Sequence, residues 1–126
     1  AHDNATGQGV CPDGWHLPSD AEWTELTNYL GGEGVAGGKM KETGTTHWNS
    51  PNTGATNESG FSALPGGYRS SDSGTFGNLG SYGYSWSVTE YGAASAWSRS
   101  LSRYDDDVIR SSFNKGFGFS IRCLKD

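Results

Sequence analysis

Residues 11–32 read CPDGWHLPSDAEWTELTNYLGG, and the local chemistry of this stretch decides the first element of the fold. Ser19 stands three residues before Glu22. That spacing is a capping box, in which each side chain satisfies a backbone N–H that the first helical turn leaves open. Asp20 and Glu22 add negative charge at the positive end of the helix dipole. Trp23, Leu26 and Leu30 follow at i, i+3 and i+7, one apolar stripe on a helix. Gly31-Gly32 then supplies the residue type that most easily takes the left-handed conformation ending a helix. The stretch therefore predicts a helix over 20–30. Pro12-Asp13-Gly14 is a turn before it, and Trp15 and Leu17 lead into the core.

Downstream, the pattern changes. Residues 33–41 predict a second, short helix with Val35, Ala36 and Met40 inward, although Gly34, Gly37 and Gly38 weaken it. Gly37-Gly38 alternatively permits close backbone packing. From Gly44 to Gly60 nearly every residue is a turn former, which predicts one long loop. Short strands are expected at Phe61–Leu64, before Pro65-Gly66-Gly67, and at Tyr68-Arg69. Tyr84, Trp86 and Val88 alternate with serines. Trp97, Arg99 and Leu101 alternate with Ser98, Ser100 and Ser102. Residues 108–114 continue in the same manner. Phe117, Phe119, Ile121 and Cys123 alternate with Gly118, Ser120 and Arg122, the clearest strand of all. Helices first and antiparallel strands afterwards make the class α+β.

Bulk properties bound the rest. The chain has 126 residues, which fits one domain, read here as residues 11–126 behind a lead-in over 1–10. Only 33% of residues are hydrophobic, but five Trp, six Tyr and five Phe can supply a core. Nine Lys and Arg are scattered, and the net charge is −5, so no basic footprint for nucleic acid exists. No apolar run is long enough to span a membrane. Ala1 reads as the start of a trimmed fragment. The two cysteines, Cys11 and Cys123, lie far apart. They read as a disulfide closing the chain, which implies an oxidising compartment, or else as two buried free thiols.

Several motifs resemble the Fibrobacter succinogenes major paralogous domain family. They are Cys11-Pro-Asp-Gly-Trp-His-Leu-Pro-Ser-Asp-Ala-Glu-Trp23, Lys41-Glu42-Thr43-Gly44, Trp48-Asn49 and Thr56-Asn57-Glu58-Ser59-Gly60-Phe61. Leu64-Pro65-Gly66-Gly67-Tyr68-Arg69, Thr89-Glu90-Tyr91 and Gly118-Phe119-Ser120-Ile121-Arg122-Cys123 extend the likeness from about residue 10 to the end. The resemblance implies a C-type-lectin-like fold, in the branch near formylglycine-generating enzymes, with one or two N-terminal helices packed on short antiparallel strands. It also implies an exported bacterial protein, often a surface lipoprotein attached to the outer membrane, of which this domain is a part. Members commonly carry aromatics after Thr89-Glu90-Tyr91. Here serines occupy much of that stretch, which suggests a sequence-diversified surface.

Candidate chemistries thin out quickly. Formylglycine-type catalysis needs a reactive thiol, and a structural Cys11–Cys123 bridge leaves none. The histidines, His2, His16 and His47, are not accompanied by a nucleophile motif. His16 reads as a packed or capping residue. The calcium–sugar motifs of lectins are not matched: Ser50-Pro51-Asn52 lacks a carboxylate, and Trp48-Asn49-Ser50 lacks its aspartate. In the Asp105-Asp106-Asp107 turn, Asp105 and Asp107 are weak calcium ligands at best. Asn57 and Glu58 read as loop braces, and Trp86 and Trp97 as core.

What remains is a binding surface. Ser98, Ser100 and Ser102 are expected on one solvated face, opposite Trp97, Arg99 and Leu101, with Arg103, Asp105, Asp107, Ile109 and Tyr91 beside them. The expectation is a non-catalytic recognition or adhesion domain binding protein or glycan there, with no cofactor unless calcium. The alternatives are a calcium-assisted carbohydrate-binding module and a structural tip or spacer module.

Overall fold

The computed structural model describes residues 8–126, so seven residues of the expected lead-in lie outside the described ones. The helix α1 spans Asp20–Tyr29, and its capping box is complete: Glu22 N–H donates to Ser19 Oγ (3.1 Å), and Ser19 N–H donates to Glu22 Oε1 (3.0 Å). At the other end Gly31 N–H donates to Asn28 O and Gly32 N–H to Thr27 O, with both glycines at positive φ. This Schellman arrangement occupies carbonyls that the last turn leaves open. Trp23 and Leu30 are buried and Leu26 packs against them, as the stripe requires.

The second helix, α2, is shorter than expected, Ala36–Met40. Val35 is its N-cap and is exposed, not inward, while Ala36 and Met40 are buried. The glycines serve close packing. A Cβ on Gly37 would lie 2.2 Å from the Asp107 carbonyl oxygen, and one on Gly38 2.3 Å from that of Gly54. Backbone from the acidic turn and from the long loop thus rests directly on this helix.

Strands β1 (Trp15–His16), β2 (Tyr68–Arg69), β3 (Phe76–Gly77), β4 (Tyr82–Gly92), β5 (Ser95–Ser102), β6 (Val108–Asn114) and β7 (Leu124–Lys125) form three antiparallel sheets. The main sheet has the order β4-β5-β6, and β1 pairs with β7, β2 with β3. Phe61–Leu64 is not a strand; only Ala63 bridges, to Lys41. The run 117–123 alternates as expected but is not a continuous ladder. It joins two sheets at single residues, Gly118 to Arg69 and Ser120 to Ser85, so its neighbours change along its length. Cys11 and Cys123 form a disulfide with Cα atoms 5.8 Å apart, next to the β1–β7 pair. The described residues therefore form two helices and antiparallel strands, with a disulfide joining the two end regions.

Register assigns the faces of the main sheet, because residues directly opposite each other share a face. Gly83-Leu101-Val108 and Ser85-Arg99-Arg110 lie on one face. Leu101 and Val108 pack there with Trp23, Leu30, Ala36, Met40, Trp48 and Ala63 into the core. Tyr84-Ser100-Ile109 and Trp86-Ser98-Ser111 lie on the other.

Candidate functional site

The second face carries an aromatic layer. Tyr68, Tyr82, Tyr84, Phe113, Phe117 and Phe119 are all half-buried, and Trp86 is buried. Tyr84 and Phe119 stack at 4.9 Å, Trp86 and Phe119 meet at 4.4 Å, and Tyr68 touches both Tyr84 and Phe117 edge-on at 5.9 Å. Edge and offset contacts of this kind are the favoured geometries for aromatic quadrupoles. Tyr84 on β4 also reaches Phe113 on β6, at 6.1 Å, across the intervening strand. Strands two apart are separated by about 10 Å. The rings can meet only because the residues beneath them on β5 are small.

Those small residues are the serines of the sequence reading, and here the structure corrects it. Ser98, Ser100 and Ser102 share the aromatic face but are 0%, 7% and 4% exposed. Ser98 Oγ donates to Ser111 O (2.8 Å), and Ser102 Oγ accepts from Tyr104 N–H (3.0 Å). They are the floor on which the rings lie, not a contact surface. Alternation was right about which residues share a side. It was silent about what neighbouring strands place above them.

The other expected contact residues are divided among three places. Ile109, 42% exposed, borders the aromatic layer opposite Ser100. Tyr91, 63% exposed, touches the half-buried Trp97 edge-on at 5.0 Å. The Arg110 guanidinium sits 3.5 Å over the same Trp97 ring. Arg103, Asp105 and Asp107 belong to the turn after β5. Arg103 Nη1 donates to Ser50 O (2.9 Å), its Nη2 donates to the Tyr104 hydroxyl, and Asp105 Oδ1 accepts from Asp107 N–H (3.1 Å). No group of three or more potential metal-ligating His, Cys, Asp or Glu side chains occurs among the described residues.

The acidic turn serves a different cation, one that sequence reasoning missed. Lys41 is fully buried, and its Nζ donates to Thr53 O (2.7 Å), Ser102 O (2.8 Å) and Asp105 O (2.8 Å). Three N–H bonds complete the ammonium's donor capacity. Burial pushes its pKa down, and the charges of Asp105 and Asp106 work against that shift. One side chain thereby ties α2, the long loop, the end of β5 and the acidic turn together. The Lys41-Glu42-Thr43-Gly44 motif was visible, but lysine is among the residue types least often buried, so its position carried no inward signal.

Two further charge clusters fix the helix. The Asp20 carboxylate accepts from Arg99 Nη1 (2.7 Å) and from Arg110 Nε and Nη2, which holds its pKa below the usual range, Arg110 contributing most. Arg99, expected on the side away from the serines, is buried against α1 through Asp20 and Thr24. His16 lies between Glu22 (3.0 Å) and Asp126 (2.7 Å), whose hydrogen bonds raise its pKa, that of Glu22 most. His47 pairs with Glu42 at 2.8 Å on the surface. Asn57 braces its loop, as its composition suggested: Oδ1 accepts from Ser62 N–H and Nδ2 donates to Ser62 Oγ.

The model of the Fibrobacter succinogenes major domain matches residues 2–125. The chain belongs to the Fibrobacter succinogenes major domain family. In this member the family motifs fall on the capping box, on buried Lys41, on buried Trp48 and on the Phe119 and Cys123 stretch that closes the fold. No curated protein and no solved structure matches the chain significantly.

Proposed function

We propose that this member of the Fibrobacter succinogenes major domain family is a non-catalytic recognition domain that binds carbohydrate on the aromatic layer of its main sheet. The observation that carries the reading is the set of half-buried rings around Tyr84, continuous across β4, β6 and the run before Cys123. A pyranose presents a face of polarised C–H groups, which matches the negative face of an aromatic ring. Tyr68, Tyr82 and Tyr84 add hydroxyls. Burial pushes the Tyr84 phenol above its usual pKa, so it stays neutral, and it accepts from Asn78 Nδ2 at 3.0 Å. Neutral donors and acceptors beside stacked rings suit an uncharged sugar. Ile109 extends the apolar border.

A C-type-lectin-like architecture and export to the bacterial surface form part of this proposal, following the family resemblance. The Cys11–Cys123 disulfide supports an oxidising compartment. No helix among the described residues is long and apolar enough to cross a membrane. The reading assigns no role to calcium, because the turn carrying Asp105 and Asp107 directs a backbone carbonyl onto the Lys41 ammonium.

A glycan array followed by calorimetric titration tests it. We expect a neutral glycan to bind with unchanged affinity in chelator. Phe117→Ala or Tyr82→Ala should weaken binding by roughly tenfold, the loss of about one stacking contact. A bound glycan indifferent to both substitutions would sink the reading, as would binding that vanishes with chelator.

A further inference from the structure

Away from the aromatic layer, two apolar cavities adjoin each other on the helix side of the fold. One, of about 200 Å³, lies between the main sheet, α2 and the strap at 120–122, with Met40, Ala63, Leu101, Val108 and Ile121 in its wall. The other, of about 290 Å³, is bounded by Pro18, Leu26, Cys123 and Leu124. Trp23, Phe61 and Arg122 line both. Trp23 and Phe61 stand 5.9 Å apart, centroid to centroid. The exposed Arg122 lays its guanidinium 4.1 Å over the Phe61 ring and donates from Nη1 to Phe61 O (2.9 Å).

Arg122 forms no ion pair with any described carboxylate, whereas Arg99 and Arg110 share Asp20. Within the walls Arg99 is therefore already bonded. Glu22, the acidic residue lining the second cavity, is taken by His16 and by the Ser19 N–H. A guanidinium offers a planar fork of donors suited to a carboxylate. The cavity behind it is lined mainly by carbon. An apolar cavity of about 150 Å³ is enough for benzene, so the first cavity has room for a larger ring.

We propose that Phe61 and Arg122 form the mouth of a second binding site, which takes a small aromatic carboxylate. The ring enters the apolar cavity beside Trp23 and Met40, and the carboxylate pairs with Arg122. This site is independent of the carbohydrate reading: it uses the opposite face of the sheet and none of the rings of the aromatic layer.

Indole-3-acetate and uncharged indole are the probes, each titrated into the disulfide-intact protein and followed by amide NMR. We expect saturable shifts at Phe61, Ala63, Arg122 and Leu124. Indole-3-acetate should bind more tightly than indole and weaken with added salt, while indole should be insensitive to salt. Arg122→Gln should cost indole-3-acetate roughly tenfold, the worth of one charge-assisted pair, and leave indole within about twofold. The salt comparison needs no variant, so it stands even if Arg122→Gln perturbs the fold. The proposal is overturned if neither probe saturates, if salt and Arg122→Gln affect both alike, or if the shifts fall on Tyr84, Phe113 and Phe117.

Discussion

The two faces of the β4-β5-β6 sheet share three strands yet solve burial in opposite ways. On the helix side, long polar side chains go inward and are met by charge: Arg99 by Asp20, and Lys41 by three carbonyls at the sheet's end. On the other side, the shortest polar side chains go inward and are covered by rings that span from Phe119 to Phe113. The first solution fixes geometry, because a buried cation that loses its partners is costly. The second leaves a broad, half-open apolar surface, because rings resting on serines cannot sink further. A polar residue inside this protein is thus an anchor on one face and a spacer on the other.

The largest test of that contrast is Lys41→Met. It should cost about 3–5 kcal/mol, since each orphaned carbonyl costs about 1–3 kcal/mol, and lower the Tm by roughly 10 °C or more. A thermal melt unchanged by this substitution would show that the ammonium is no anchor. Next comes Ser98→Leu, which forces a larger side chain under the rings. Overpacking predicts a loss of about 1–3 kcal/mol in denaturant unfolding; a solvated serine would tolerate the change within about 0.5 kcal/mol. The smallest effect belongs to His16. Its folded pKa lies above 6.5, so its contribution is fully present below 6.5 and is lost as pH rises through the raised value. His16→Asn should therefore lower the Tm at about pH 5 and make little difference at about pH 9. An equal loss at both would mean that packing, not charge, holds it.

These contrasts also mark what could be read from residue order. The capping box, the apolar stripe and the glycine stop act within a few positions, so α1 was legible to within one residue. The alternation in β5 and β6 was legible for the same reason. What alternation omits is the neighbour. Ser98 has the same local signature whether it faces water or lies under Tyr84 and Phe113, and only the three-strand register tells these apart. Lys41 shows the same limit: its partners at Thr53, Ser102 and Asp105 are 12, 61 and 64 positions away. The run at 117–123 misled in the other direction. Its clean alternation suggested a continuous ladder, but it serves as a seam between sheets. The aromatic layer was present in the sequence as scattered Tyr and Phe, and its assembly depends on that seam.

The pairing of Trp15-His16 with Leu124-Lys125, beside the Cys11–Cys123 bond, has a mechanical consequence. A pull applied from outside the two cysteines first loads the β1–β7 hydrogen bonds, because Leu124-Lys125 lies beyond the bridge; past them one covalent link, with its Cα atoms 5.8 Å apart, carries the load and shields the main sheet. The domain behaves as a closed bead on a string. Tension applied at the two ends passes by the main sheet without stretching it, so both of its faces keep their shape under load.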